Sequence, residues 1–237
     1  MDIIISGHGR MGKEVENICL KRNHNIICII DNNDDWNKLM NIDFSSAVVI
    51  DFSEPDKAKN IFIKCFEMGI PLVTGTTGWY DDFEEVIEFC NNKDGTFFYA
   101  PNFSIGANLF FRANAQLAKL MEGVENYKVR INETHHIHKI ESPSGTAIST
   151  AKGIIENNVE LKGWCLDCKD GNDNIPIYST REGEVTGKHQ VVYDSEIDSI
   201  TLTHEAKNRS GFTLGAVLAA EFIFGKKGIY NMDDLLG

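Results

Sequence analysis

The sequence predicts a two-part α/β protein, in which a parallel sheet is followed by an α+β part with a mixed sheet. Up to about residue 102, short apolar strands alternate with helical stretches, which indicates a parallel sheet buried on both faces. Beyond about residue 127, apolar and polar residues alternate, which is typical of strands with one covered face. The length of 237 residues suffices for two modest domains.

The first part contains five predicted strands joined by helices. We expect strands over residues 3–5, 26–30, 47–52, 71–75 and 96–99. We expect the intervening helices over residues 11–22, 55–68 and 81–90. Helical crossovers between successive apolar strands place those strands parallel to one another.

The second part mixes helices with alternating strands. We predict helices over residues 105–122 and 146–156, and strands over residues 127–131, 190–193 and 199–203. Residues 162–176 are polar and are expected to be irregular. A final helix over residues 212–224 is apolar enough to pack back on the first part. The predicted domains are therefore residues 1–104 with 213–237, and residues 105–212.

Charge and composition argue against several classes of partner. The net charge is −12, so the chain repels phosphate backbones and nucleic acid is not expected as a partner. No apolar run approaches the length that spans a bilayer, so no membrane partner is expected. Residues 1–7 lack the basic region of a signal peptide and instead predict the first strand.

The six cysteines suit a reducing compartment. Four of them lie in apolar stretches and are expected in the core: Cys19, Cys28, Cys65 and Cys90. Cys165 and Cys168 form a lone CxxC, and without a second pair a metal or redox role is not favoured. Thiols without the pattern of a disulfide scaffold indicate a cytoplasmic protein.

A glycine-rich motif directly follows the first predicted strand. Its GxGxxG residues are Gly7, His8, Gly9, Arg10, Met11 and Gly12. The motif opens a helix within a strand–helix–strand unit, which is the context of a dinucleotide fingerprint in a Rossmann-type domain. Gly7 permits a tight turn, Gly9 lets the backbone approach a pyrophosphate, and Gly12 allows close packing of helix on strand. An incidental turn is the weaker alternative.

An acidic residue ends the second predicted strand. Asp31 lies 19 residues beyond Gly12, where a carboxylate can accept hydrogen bonds from the adenosine ribose. A plain turn role is the alternative. Asn32 and Asn33 stand where an arginine would favour the 2′-phosphate of NADPH. We therefore expect NADH to be used at least as well as NADPH.

Two later loops follow the fourth and fifth predicted strands. Ligands of open parallel sheets bind beyond the carboxyl ends of the strands. We therefore take these residues as candidate cofactor contacts, with a simple turn as the alternative for each loop: Gly75, Thr76, Thr77, Ala100, Pro101, Asn102 and Phe103.

Residues 133–147 hold the densest set of functional side chains. His135, His136, His138 and Lys139 lie within five residues. No zinc motif of suitable spacing is present and a lysine repels a cation, so no metal is expected. The cluster is better suited to binding an anion and transferring protons near neutral pH, with a structural role as the alternative.

A predicted helix start follows this cluster. Ser144 is a favourable N-cap, Gly145 leaves its amide accessible, and Thr146 follows in the first turn. Free amides at a helix N-terminus favour a carboxylate. Capping alone would be the default role of Ser144 and Thr146, but the nearby cluster favours ligand binding.

Together these motifs resemble those of the dihydrodipicolinate reductase family. The most specific resemblance is the run HHIHK at residues 135–139 followed by PSGTA at residues 143–147. Supporting matches are GRMG at 9–12, GTTG at 75–78, NFS at 102–104 and the segment 209–212. The resemblance therefore covers nearly the whole chain.

The resemblance implies a tetrameric cytoplasmic enzyme. It implies reduction of a dehydrated form of 4-hydroxy-tetrahydrodipicolinate to tetrahydrodipicolinate by NADH or NADPH. It assigns proton transfer to His135 and Lys139. It implies that a small dicarboxylate substrate is held by His136, Lys139, Gly145 and Thr146, and that Arg209 assists with a carboxylate.

Two other functions stay open on the sequence alone. One is a different small dehydrogenase of similar two-domain build, acting on an amino acid or a semialdehyde. The other is a non-catalytic protein that binds NAD(P)H without turnover. The second leaves the cluster of histidines and lysine unexplained.

Overall fold

The computed structural model describes residues 1–39, 43–169 and 173–237. They form two compact units, Met1–Ser104 with Ser210–Gly237, and Ile105–Arg209. The first unit thus consists of two chain segments, and the second of one continuous segment. The sequence predicted that the chain returns to the first unit at residue 213, whereas it returns at Ser210. The difference arises because the final helix was predicted to begin at residue 212 and begins at Ser210.

The first unit is built on a six-stranded parallel sheet. With elements numbered along the chain, its strands are β1 (Asp2–Ser6), β2 (Asn25–Ile30), β3 (Ala47–Asp51), β4 (Leu72–Thr74), β5 (Thr96–Tyr99) and β11 (Gly228–Tyr230). Their order across the sheet is β11-β5-β4-β3-β1-β2, and each neighbouring pair is parallel. β3 and β4 are buried along their whole length, as the continuous apolar runs predict.

Helices accompany this sheet in the predicted alternation. They are α1 (Arg10–Lys21), α2 (Pro55–Glu67), α3 (Phe83–Asn92), α6 (Ser210–Ile223) and α7 (Met232–Leu236), with 3₁₀ segments at Asn33–Leu39 and Tyr80–Asp82. The core on the α2 side is aromatic, with Phe62 against Trp79 at a ring-centroid distance of 5.1 Å. The four cysteines expected in the core are buried: Cys19, Cys28, Cys65 and Cys90. None of the helices within the described ranges is long and apolar enough to cross a membrane.

The two chain segments of the first unit are joined by an ion-pair cluster. Glu221 on α6 accepts two hydrogen bonds from the guanidinium of Arg22, at 2.8 and 2.7 Å. The same carboxylate lies 2.8 Å from Nε2 of His24. α6 therefore packs beside α1 although nearly 200 residues separate them in sequence.

The second unit contains a five-stranded mixed sheet, as predicted. Its elements are α4 (Ile105–Met121), β6 (Lys128–His135), α5 (Gly145–Ile155), β7 (Gly163–Leu166), β8 (Asn174–Arg181), β9 (Gly187–Asp194) and β10 (Ser199–Ala206). The strand order is β10-β9-β6-β8-β7. β8 is parallel to β6 and β7, whereas β9 is antiparallel to β6 and β10.

Several predicted boundaries in this unit are wrong. Residues 162–176 were expected to be irregular, yet β7 and the start of β8 lie in this range; residues 170–172 lie outside the described residues. β7 is a short edge strand, and Pro176 within β8 argues against a strand when only the sequence is considered. β6 continues four residues beyond its predicted end, because its polar positions break the alternation of a simple amphipathic strand.

The CxxC pair also differs from the expectation of six free thiols. Cys165 lies in β7 and Cys168 follows it, with their Cα atoms 5.9 Å apart. That separation is within the range that a disulfide spans, and the structure joins the two cysteines by one.

A buried carboxylate holds the loop after β4 against β3. Asp51 is fully buried, and it accepts hydrogen bonds from the hydroxyls of Thr74 and Thr76, at 2.8 and 2.7 Å. Burial raises the pKa of Asp51, and the hydroxyl donors, Thr76 first among them, oppose that shift. The side chain of Thr76 is therefore committed to the fold, whereas the neighbouring Thr77 is exposed.

We expect Thr76→Val to lower the free energy of unfolding by about 1–3 kcal/mol, because it removes a donor from a buried carboxylate. Thr77→Val is the matched control one residue away, and it should change stability by no more than about 0.5 kcal/mol. Urea unfolding at neutral pH, followed by circular dichroism, measures both. Equal stabilities of the two variants would contradict the structural role of Thr76.

Candidate active site

The covered face of β6 changes from apolar to polar along the strand. Ile131, Glu133 and His135 are two residues apart, so their side chains lie on one face. Ile131 packs in the core of the second unit. Glu133 and His135 are also buried, at 1% and 6% exposure. The strand thus places a carboxylate and an imidazole at the edge of an apolar core.

Cross-strand pairing brings further polar side chains to Glu133. The parallel register with β8 sets Ser179 opposite it, and the antiparallel register with β9 sets His189 opposite it on the other side. The Ser179 hydroxyl donates to the Glu133 carboxylate at 2.7 Å. Nε2 of the buried His189 lies 3.6 Å from the same carboxylate. A row of three polar residues therefore crosses β8, β6 and β9.

The Glu133 carboxylate also contacts groups outside this row. The backbone N–H of Ser144 donates to both carboxylate oxygens, at 3.1 Å each. The guanidinium of Arg181 lies 3.6 Å from Oε1. Burial alone would raise the pKa of Glu133, but the surrounding donors, first those of His189 and Ser144, hold it well below its usual range. Glu133 is therefore ionised at neutral pH despite its burial.

The two ring nitrogens of His135 have different surroundings. Nδ1 is buried and lies 3.6 Å from Glu133 Oε2. The ring meets that of His189 edge-on, with centroids 5.0 Å apart. On the other side, a Cβ at Gly187 would lie 3.1 Å from Nε2, so the glycine keeps room at that nitrogen. Nε2 is thus the nitrogen left for another molecule.

Electrostatics keep His135 neutral in the absence of a ligand. Burial, followed by the electrostatic interaction with His189, lowers the pKa of His135 to about 4. Glu133 opposes this shift, whereas Lys139 and Arg181 add to it. A bound anion would act in the same direction as Glu133 and favour the protonated ring.

Lys139 is held in the turn that follows β6. Its ammonium group pairs with the exposed carboxylate of Glu141 at 2.8 Å. The guanidinium of Arg181 donates to the backbone carbonyls of Lys139 and Glu141, at 3.2 and 2.6 Å. Arg181 thus connects the turn that carries Lys139 to the Glu133 carboxylate.

The other predicted members of the cluster are less enclosed. His136 is half-buried, with its ring 6.0 Å from that of His138. His138 is exposed and faces Glu184 at 3.2 Å, and no role is assigned to it. Arg209 lies in the exposed turn after β10, and its contact with a substrate carboxylate stays a prediction.

The start of α5 confirms Ser144 as an N-cap. Its hydroxyl accepts a hydrogen bond from the N–H of Ala147 at 3.2 Å and lies 3.1 Å from His189 Nε2. Gly145 is exposed, with open space where a Cβ would stand. The amides of Gly145 and Thr146 are in the first turn, where a helix offers them no acceptor. They can therefore bind an anion.

Three of these buried groups are residue types that also bind metal ions. Glu133, His135 and His189 offer three ligand atoms within 4.8 Å of one another. The carboxylate, however, already faces the Arg181 guanidinium and accepts from the Ser144 amide. A second cation there would be repelled, so this chemistry favours a site without metal, which stays a prediction.

In the first unit, the glycine motif has the geometry that its residues predict. Gly7 has a positive φ of 81°, and a Cβ there would lie 2.5 Å from the Phe52 carbonyl oxygen. A Cβ on Gly12 would lie 2.0 Å from the Gly7 carbonyl oxygen, so only glycine permits this packing. Gly9 has open space at its Cβ position and caps α1. A ligand can therefore approach the main chain closely at Gly9.

The remaining residues of the motif differ in their contacts. The N–H of His8 donates to Asp31 at 3.1 Å, and its ring lies 2.7 Å from the Glu16 carboxylate. Arg10 is exposed and Met11 is half-buried. Asp31 is thus tied to the loop that precedes α1, at the end of β2.

A cavity of about 610 Å³ opens beside this loop. It is lined by Asp31 and also by Trp36, Lys57 and Lys64, which the sequence analysis did not include. The Lys64 ammonium lies 5.2 Å from the Trp36 ring centroid, and Lys57 pairs with Glu54 at 2.5 Å. The two lysines are seven residues, or two turns, apart on α2, so they lie on the same face of that helix. This spacing was visible in the sequence alone.

The two later loops contribute backbone more than side chains. A Cβ on Gly75 would lie 2.2 Å from the Phe52 ring, and the Thr76 hydroxyl is bound to Asp51. Thr77 is exposed. Any cofactor contact at Gly75 or Thr76 must therefore come from the main chain, and that at Thr77 can involve its hydroxyl.

In the loop after β5, Ala100 and Phe103 are buried and Pro101 is exposed. The Phe103 ring stacks on Phe98 at a centroid distance of 5.6 Å. The Asn102 side chain accepts from the backbone N–H two residues later, at 2.9 Å. These contacts leave the cofactor roles of the four residues as predictions.

Five residues of the site on β6 were missed as functional groups: Glu133, Ser179, Arg181, Gly187 and His189. Only Glu133 carried a usable signal, since it lies two residues before His135 and shares its face. The others come from β8 and β9, and only the register of those strands brings them to the site.

Known proteins are similar to this chain over nearly its whole length. The family model described as the N-terminus of dihydrodipicolinate reductase matches residues 1–103, and the C-terminal model matches residues 106–236. A 4-hydroxy-tetrahydrodipicolinate reductase of Christiangramia forsetii is 49% identical over 236 residues, covering 100% of this chain and 98% of that protein. Another, of Alkaliphilus oremlandii, is 33% identical over 251 residues, covering 100% and 98%.

Among solved structures, the fold is similar to that of dipicolinate-bound dihydrodipicolinate reductase from Paenisporosarcina sp. TG-14. The TM-score is 0.79 at 24% identity, with 99% of this chain and 98% of that one covered. The two family models together extend over both units of the chain. The chain therefore belongs to the dihydrodipicolinate reductase family.

Proposed function

We propose that this protein reduces the dehydrated form of 4-hydroxy-tetrahydrodipicolinate to tetrahydrodipicolinate, using NADH or NADPH, in the biosynthesis of diaminopimelate and lysine. The observation that carries the proposal is the pairing of a buried, ionised Glu133 with His135 beside an open helix N-terminus. Full-length relatives in the same family bear the name of this activity.

The first unit fits a dinucleotide. The close approach of Gly7 and Gly12 leaves no room for side chains, and the open space at Gly9 admits a pyrophosphate near the start of α1. The cavity beside Asp31 suits the adenosine half, with Trp36 as an aromatic wall. When bound, the nicotinamide supplies the hydride.

The second unit supplies the proton and the substrate contacts. Hydride addition to a conjugated imine leaves an electron-rich enamine, whose carbon must take a proton. His135 Nε2 lies on the side that Gly187 leaves open, and Lys139 provides a second acid. A positioned acid typically contributes about 10²–10⁴-fold to the rate.

A dicarboxylate substrate suits the charges around this site. The first-turn amides of Gly145 and Thr146 can bind one carboxylate, while His136, Lys139 and Arg209 supply positive charge or protons. Ser144 shapes the turn through its cap and its contact with Glu133. The reductase of Paenisporosarcina sp. TG-14 was solved with dipicolinate, a ring that carries two carboxylates.

The family also supports a cytoplasmic homotetramer. The continuous unit of residues 105–209 would carry both substrate binding and subunit association. Light scattering coupled to size-exclusion chromatography measures the subunit number directly.

Steady-state turnover with enzymatically generated substrate tests the proposed function. We expect NADH to give a kcat/KM at least equal to that with NADPH, because the Asp31 carboxylate repels a 2′-phosphate. Lys57 and Lys64 line the same cavity and support NADPH as a second cofactor. A strong preference for NADPH at fixed salt would contradict the role of Asp31, and oxidation of neither cofactor would overturn the function.

Pyridine-2,6-dicarboxylate should inhibit competitively with respect to substrate, because the helix amides and the nearby cations can pair with two carboxylates. Pyridine-2-carboxylate is the matched control, and it should bind more weakly because it offers only one. Loss of a charge-assisted contact of this kind is worth about 1.5–3 kcal/mol, or roughly 10-fold or more in the inhibition constant. Equal inhibition by the two compounds would contradict a site for two carboxylates.

His135→Gln should lower kcat and leave NADH affinity unchanged, because it removes an acid used in the transition state. Lys139→Met should lower kcat and also raise KM for the substrate, since the proposed role of the ammonium group is to pair with a substrate carboxylate. His138→Gln is the control on the same turn, where an exposed imidazole faces Glu184. Steady-state kinetics and NADH fluorescence measure all three. Near wild-type kcat in both His135→Gln and Lys139→Met would show that the cluster has another role.

A further inference from the structure

We propose that Glu133 is the positioning residue of the proton-transfer site, fixing the protonation of His135 and the placement of the turns around it. Glu133 itself touches no reacting atom. This inference deepens the proposed function and rests on it. The sequence predicts roles for histidines, for Lys139 and for the helix amides, but none for Glu133.

The position of Glu133 gives it contacts with all parts of the site. It lies on the central strand β6, between Ser179 on β8 and His189 on β9. Its two oxygens accept hydrogen bonds from the backbone N–H of Ser144, the residue that immediately precedes α5. Arg181, 3.6 Å away, extends the contact to the turn that carries Lys139. One carboxylate thus connects β8, β9, the start of α5 and, through Arg181, the turn that carries Lys139.

The first consequence is the tautomer of His135. Its buried Nδ1 has no hydrogen-bond partner at ordinary length, and the Glu133 carboxylate 3.6 Å away is an acceptor that favours a proton there. A lone pair at Nδ1 would instead point toward an anion. With Nδ1 protonated, Nε2 is left to exchange the catalytic proton in the space beside Gly187.

The second consequence is the charge of His135 during turnover. The groups that face it are Glu133 on β6, His189 on β9, Arg181 on β8 and Lys139 in the turn. Glu133 is the anion among them, so it favours the protonated ring that donates to the substrate carbon. After donation the ring is neutral, and the hydride and proton together complete the reduction of one double bond.

The third consequence is alignment of the helix amides. The Glu133 carboxylate accepts the N–H of Ser144 and so holds this residue against β6, beside His189. Gly145 and Thr146 follow directly in the chain. Their amides therefore take their position from the same anion that sets the protonation of His135.

Glu133→Gln tests this role, since the amide keeps the size of the side chain and loses its charge. We expect kcat to fall at least about 10-fold, as part of the contribution of a positioned acid is lost. The falling limb of the pH profile of kcat should move to lower pH by about 1–3 units, because removing a nearby anion lowers the pKa of His135. NADH affinity, measured by fluorescence, should not change.

Glu184→Gln is the matched control. It removes an exposed carboxylate beside His138 and should leave both kcat and the pH limb unchanged. A lower kcat for Glu133→Gln with an unmoved pH limb would mean that Glu133 only supports the fold, and would overturn the proposal. Wild-type kcat in that variant would overturn it as well.

Nitrogen NMR of the labelled imidazoles gives a second test that needs neither turnover nor a folded Glu133 variant. In the ligand-free wild-type protein at pH 7, His135 should be neutral with its proton on Nδ1. Its signals are identified by their absence from the spectrum of His135→Gln. A proton on Nε2 would overturn the positioning role even if the enzyme is active. Conversely, the expected tautomer without any turnover would overturn the proposed function alone.

Discussion

The register of β6 between β8 and β9 is the constraint on which the second unit depends. Ile131 pairs with Ile177 and Val191, and all three are completely buried. A slip by one residue would turn each of these side chains to the opposite face, so the apolar row resists it. Two residues along, the same register sets Glu133 between Ser179 and His189. The polar row thus inherits its alignment from the apolar one.

In the first unit, steric crowding and one buried acid have the corresponding role. The carbonyl oxygens of Gly7 and Phe52 occupy the space that side chains would need at Gly12 and Gly7. Asp51 ends β3 and accepts hydroxyl hydrogen bonds from the loop after β4. The loops at the carboxyl ends of β1, β3 and β4 are therefore fixed by contacts among themselves.

The sequence was sufficient for the first five strands of the parallel sheet because their signals are local. Continuous apolar strands, the glycine motif and the Ser144 cap each depend on a few neighbouring residues. The edge strand β7, the Pro176-containing β8 and the short β11 lack such signals, since pairing with other strands stabilises them. For the same reason His189 could not be linked to His135 before the register was known.

The division of the chain has a consequence for how the protein is made. β11 pairs with β5 to complete the sheet of the first unit, and Glu221 on α6 pairs with Arg22 at the end of α1. The second unit, in contrast, is one continuous segment from residue 105 to 209. On the ribosome, domains fold as their residues emerge. The unit encoded in the middle can therefore fold before the last strand of the first unit has been made.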